Sequence, residues 1–260
     1  MHNPFAALPA SVPPIAMQTY VVVMFLLVVC GTLIDLAHKG SARYFFKHRR
    51  IASFGARRRV NAAEKAALAA QTIVISVLAA GEFCGMWRRV THLLTMYGFV
   101  LYVVTTAIMV FAYPTAAAPG PAIVPELWYL GAVLVCAGGL WFWLLQRVDV
   151  AAEGRSPLRL VRADLFVLSL IASAAFALIW GGLQASDDGA WADTFFGLYL
   201  LSNTVLFGSV PWSKFAHMFY KPAAALQRRI EQANGFRANL PPPADRPMAF
   251  GSARRQPHNY

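Results

Sequence analysis

The chain has 260 residues, of which 58% are apolar and only 13% charged, and its formal net charge is +11. Together with a mean hydropathy of +0.49, this balance excludes an ordinary soluble domain and predicts an integral membrane protein. Three cysteines, Cys30, Cys84 and Cys136, stand far apart with no CxxC or CxxCH, which excludes an iron-sulfur binding pattern and a covalently attached haem.

Residues 1–16 contain prolines but no Lys or Arg, so they lack the basic n-region of a cleavable signal peptide and read as a short non-cytoplasmic lead-in. Residues 17–219 hold five uncharged runs of ~20 residues, each long enough to cross a ~30 Å hydrocarbon core as a helix. The expected fold is all-α, a bundle of five transmembrane helices with an additional cytoplasmic interfacial helix. The first span covers about residues 17–37, with Asp35 one turn from its exit and therefore expected at the interface. Residues 38–90 contain KHRR, RRR and WRR and form a basic cytoplasmic segment. Inside it, residues 61–83 are alanine-rich and mildly apolar. If they crossed, RRR and WRR would face opposite sides, so they read as a helix lying on the surface.

The second span, about residues 91–113, ends in a proline-rich turn without a basic residue. The third, about 127–146, carries Gly138 and Gly139, small residues suited to close helix contact in lipid. A loop with Arg147, Arg155, Arg159 and Arg162 leads to the fourth span, about 165–183, and the acidic turn SDDGAWAD leads to the fifth, about 194–215. Residues 220–260 are polar, basic and proline-rich, and predict a cytoplasmic tail without enough apolar surface to fold alone.

Charge fixes the expected orientation. Eleven Lys or Arg lie within residues 38–90, four within 147–162 and eight within 214–260, which accounts for all 23 in the chain. Under the positive-inside bias these segments are cytoplasmic, the N-terminus is outside and the C-terminus is inside. The basic residues then lie beside anionic lipid headgroups, and no nucleic acid is needed to explain them.

In this topology His92 opens the second span and His217 closes the fifth on the same cytoplasmic side. Two neutral imidazoles from separate helices at one depth suit the axial positions of one non-covalent b-type haem. Gly98, Gly208 and Ser209 can leave room for a flat macrocycle, and Arg88, Arg89 and Lys214 can pair with its propionates. His38 ends the first span at a similar depth and is an alternative ligand. His48 belongs to the basic surface, and His2 and His258 are terminal. The competing reading is a haem-free structural or transport subunit, with both histidines interfacial and Asp35, Glu82 and Lys214 snorkelling. No further histidine and no suitably opposed methionine lies deeper in these spans, so one haem per chain is expected.

The segment Pro211-Trp212-Ser213-Lys214-Phe215-Ala216-His217 resembles the end of the last helix in respiratory nitrate reductase gamma subunits. It is also similar to cytochrome b membrane subunits related to heterodisulfide reductase, to those of the Dsr and Qmo complexes, and to adenylylsulfate reductase membrane anchors. Residues 88–110, RRVTHLLTMYGFVLYVVTTAIMV, resemble the histidine-bearing helix of the same subunits. The resemblance implies a membrane anchor in a bacterial inner membrane that passes electrons between quinone and a soluble cytoplasmic iron-sulfur or flavin oxidoreductase, with His92 and His217 as haem ligands. Adenylylsulfate reductase, and hence sulfur metabolism, is the specific expectation. Two-haem relatives carry a second histidine pair where this chain has Tyr102 and Tyr199, so the resemblance implies that an outer haem is absent. These tyrosines are candidates for a quinone pocket, and aromatic core packing is the alternative. A soluble partner is expected to dock on residues 38–90 and 221–260.

Overall fold

The computed structural model describes residues 2–8, 12–38, 40–81, 83, 85–117, 120–147, 160–161, 164–186, 189–210 and 217–236. The described residues form helices and connecting turns, without strands. They are α1 (Pro14–His38), α2 (Ser41–Phe54), α3 (Ala62–Gln71), α4 (Met86–Phe111), α5 (Ile123–Trp141), α6 (Asp164–Ala185), α7 (Gly189–Gly208) and α8 (His217–Asn234). Wider π-helical turns continue α3 over Thr72–Leu78 and α5 over Phe142–Gln146. The chain divides into two compact units, one of residues 1–39 and 85–217, the other of residues 40–84 and 218–260.

The first unit is a closed ring of five helices. α4 packs on α5, α5 on α6, α6 on α7, α7 on α1, and α1 back on α4. Four helices among the described residues are long and apolar enough to cross a membrane: α1, α4, α5 with its π-helical turn, and α6. α7 has 20 residues but carries Asp193, Ser202 and Asn203, and the last two are buried. Apolar side chains such as Phe25, Leu33, Val100 and Leu201 are exposed, whereas Thr105, Ser173 and Asn203 are buried. That inversion is expected of a bundle solvated by lipid.

Glycine sets the tightest contact. A Cβ on Gly131 of α5 would lie 2.8 Å from the Tyr102 amide nitrogen and 2.9 Å from the Gly98 carbonyl oxygen, and one on Gly98 would lie 2.9 Å from the Gly131 oxygen. Seven residues on, a Cβ at Gly138 would lie 2.8 Å from the Thr95 nitrogen. The glycines thus let α4 and α5 run antiparallel with their backbones touching, as small residues do in membrane bundles. Gly139 faces Ile171 of α6 instead. Gly98 is therefore filled by α5, which corrects the expectation that it leaves room for a macrocycle. No atom of the described residues lies within 4 Å of a Cβ added at Gly208.

In the second unit, Asn61 caps α3 by accepting the Glu64 amide at 2.8 Å. Arg58 pairs with Glu64 and also donates from Nε to the Ala233 carbonyl at the end of α8. Gly235 takes φ +79°, a left-handed turn that ends α8, and the Asn234 carbonyl accepts from the Arg57 and Arg58 amides. Arg229 of α8 donates to Ser76 at 3.3 Å. The tail expectation is corrected here. Residues 217–234 are helical despite Pro222, and Glu231 and Asn234 are buried. The sequence reading missed this helix because it scored apolar content, whereas α8 is held by polar contacts to its own unit. Residues 237–260 lie outside the described residues.

Arg58 holds the Glu64 carboxyl below its usual range. Because the folded value is depressed, the pair's contribution is complete above the unfolded value of ~4.3 and is lost as pH falls through the folded value. Amide protection at Asn61–Glu64 should weaken over that acid window, and Glu64→Gln should flatten the dependence in hydrogen exchange corrected for intrinsic rates.

Candidate functional site at the basic end of the bundle

His92 lies in the second turn of α4, half-buried and engaged with a neighbour. Its level can be compared with that of α1. The Gln18 amide donates to the Val110 carbonyl at 3.2 Å, and Met17 and Val110 line one cavity with Pro14 and Pro114, so α1 and α4 are antiparallel. At ~1.5 Å per residue, Asp35 lies ~25 Å along α1 from Gln18, and His92 lies ~27 Å back along α4 from Val110. Asp35 and His92 thus lie at similar depths along their two helices.

Asp35 is only 2% exposed, on the inward face it shares with Thr32 and Gly31. The expectation placed it by depth alone, at the interface, and did not foresee its burial. The sequence gives its distance from the span's end but not its side of the helix, and an acidic group turned inward at a span's end is a functional candidate.

The π-helical end of α5 adjoins the same level. Thr91 donates to Gln146 Oε1 at 2.9 Å. Arg147 pairs with Asp164 at the start of α6, their side chains being 9% and 6% exposed, and Asp164 also accepts the Val161 amide at 2.9 Å. The Arg147 guanidinium lies over the Trp143 ring, 5.4 Å from its centroid. Among the described residues, Trp143 Nε1 and Gln146 Nε2 are buried donors without an acceptor. Buried donors normally find one, so this corner can take a hydrogen-bond acceptor. A π-helical turn is invisible to hydrophobic periodicity, which is why Trp143 and Gln146 escape a sequence reading. Arg147 carried a signal that was used only for topology, and Asp164, at the start of the next span, was not weighed.

The other expected residues fall as follows. Arg88 is exposed, and Arg89 is half-buried and engaged. His217 begins α8, but its side chain, like Lys214, lies outside the described residues. Tyr102 and Tyr199 are brought together deep in the bundle. Tyr102 stacks on Trp128 at 5.6 Å and Tyr199 on Trp180 at 5.6 Å. Ser173 donates to Asn203 Oδ1 at 3.0 Å, and the Tyr102 hydroxyl lies 3.4 Å from Ser173 Oγ. Phe5 of the N-terminal segment completes this aromatic core. It is 4% exposed and packs edge-on against Trp128, Trp180 and Tyr199. Asn3 fixes that segment by donating to the Tyr113 carbonyl at 2.8 Å. Beside it, a cavity of about 300 Å³ is lined by Met109, Tyr113, Val124 and Pro125.

No family profile matches the chain, and no solved structure matches it. The chain is 31% identical over 162 residues to citrate utilization protein B of Escherichia coli, an alignment covering 60% of this chain and 41% of that protein. The chain therefore spans less than half the length of this relative.

Proposed function

We propose that the chain is a membrane-embedded electron-transfer subunit that holds one b-type haem through His92 and His217 and links the quinone pool to a soluble cytoplasmic oxidoreductase. α7 serves as the fifth span, and the N-terminus is outside. The observation that carries the reading is the composition of the basic end of the bundle. A half-buried histidine there shares its level with an inward carboxylate and adjoins buried N–H donors that can take an acceptor. The haem supplies a reversible one-electron couple. His92 and His217 would supply neutral nitrogens to its iron. Trp143, Gln146 and Arg147 suit the propionates better than the exposed Arg88. The quinone is not assigned to Tyr102 and Tyr199, whose rings are packed against tryptophans.

The partner docks on the basic α8, which presents the exposed Lys221 and Arg228, and charge steers an acidic surface to it. Adenylylsulfate reductase is the first partner to test. Similarity to a citrate utilization protein makes an oxidoreductase of a small carboxylic acid the second.

The test is the reduced-minus-oxidised absorption spectrum of the purified chain, with haem extracted and counted against protein mass. A low-spin b-type spectrum at one haem per chain is expected. No haem overturns the reading, and two haems show that the ligand set is incomplete.

A further inference from the structure

We propose that the outward face of α2 binds anionic phospholipid headgroups, as an amphipathic helix lying on the cytoplasmic leaflet. α2 spans Ser41–Phe54, has the sequence SARYFFKHRRIASF and contains no acidic residue. Its inner side is occupied within its own unit, where Ala52 is fully buried and the His48 ring packs edge-on to Phe236 at 6.3 Å. The opposite side is uncovered. Tyr44, Phe46, Ile51 and Phe54 are 68%, 61%, 49% and 79% exposed there, interleaved with the exposed cations Arg43, Lys47 and Arg50. The Arg50 guanidinium lies 5.8 Å from the centroid of the Phe54 ring.

Two arguments select lipid as the occupant. The first is covalent. α1 ends at His38 and α2 begins at Ser41, and so short a connection reaches ~10 Å at most. The start of α2 is therefore tethered to the end of a membrane span whatever the rest of its unit does. The second is chemical. Aromatic and aliphatic side chains alternating with lysine and arginine on one face suit the boundary between acyl chains and phosphates, where rings sink in and cations reach up to the headgroups. A soluble acidic partner would satisfy the cations but leave four large apolar groups to be matched. The surface helix expected over residues 61–83 thus has a stronger claimant in α2, whose cations give it a preference for negative lipid.

The full chain is reconstituted in nanodiscs of phosphatidylcholine alone and of phosphatidylcholine with phosphatidylglycerol, and hydrogen exchange is followed over residues 41–54. Exchange should slow roughly tenfold or more when phosphatidylglycerol is present, and the slowing should reverse in high salt. The triple variant Arg43→Gln, Lys47→Gln, Arg50→Gln should lose the difference between the two lipids while α4 and α5 keep their protection. Phe54→Ser should weaken protection in both lipids. Because these side chains are exposed, their replacement leaves the unit folded, and unchanged exchange in α3 and α8 verifies this. Equal exchange in the two lipids overturns the proposal, as does a triple variant that behaves like the parent chain. If soluble polyglutamate protects α2 as well as phosphatidylglycerol does, the face is a general anion-docking surface and the lipid assignment falls.

Discussion

His92→Ala and His217→Ala should each abolish the low-spin haem spectrum while leaving the protein in the membrane at normal abundance. A six-coordinate iron needs both axial nitrogens, so losing one leaves a five-coordinate, high-spin centre or an empty site. Insertion depends on other features. His92 lies at the start of α4, whose remaining turns keep their apolar character, and backbone hydrogen bonds within each helix are untouched by either change. Alkaline extraction of membranes measures insertion, and the visible spectrum measures the iron. A variant that keeps the parental spectrum removes that histidine from the site. His38, at the end of α1, is then the next ligand to test.

Gly131→Ala should destabilise the bundle, whereas the same change at Gly197 should be neutral or stabilising. Replacing helical glycine by alanine ordinarily stabilises by about 0.4–1 kcal/mol, because the unfolded chain loses freedom. Gly197 can follow that rule, since no atom of the described residues lies within 4 Å of an added Cβ. At Gly131 the methyl group would meet the Tyr102 nitrogen at 2.8 Å and its Cα at 3.1 Å. Overpacking against side chains costs ~1–3 kcal/mol, and here the obstacles are backbone atoms that can yield only if α4 and α5 separate. Thermal unfolding in detergent should therefore show opposite signs for the two variants. A Gly131→Ala protein as stable as the parent would mean that the two helices are not in backbone contact.

Hydrophobic run length made the spans legible, because lipid imposes a simple requirement of about twenty apolar residues. α1, α4, α5 and α6 start or end within a few residues of the runs, and Gly138 and Gly139 do lie at helix contacts. Rotation about each helix axis was not legible, since it is set by packing among five neighbours. Asp35 was therefore placed only by depth, at the interface, and its burial was not foreseen, and Gly98 was given to a macrocycle when it belongs to α5. Phe5 could not be read at all, because a single phenylalanine in a proline-rich lead-in has no periodicity to mark it. α8 was missed for the opposite reason. Its stability comes from capping and from bonds such as Arg58 to Ala233, which join residues 175 positions apart.

The closure of the helix ring has a consequence for biogenesis. α1 leaves the ribosome before the other helices of the ring, yet the Tyr20 hydroxyl donates to the Leu200 carbonyl at 2.8 Å, 180 residues later. At ~5–20 residues per second that interval lasts on the order of 10 to 40 s. Throughout it, α1 waits in the bilayer with part of its inward face uncovered, including the phenol of Tyr20. Ring closure is thus a post-insertion event, and chains truncated before α7 would present that unfinished face to the proteases that police the membrane.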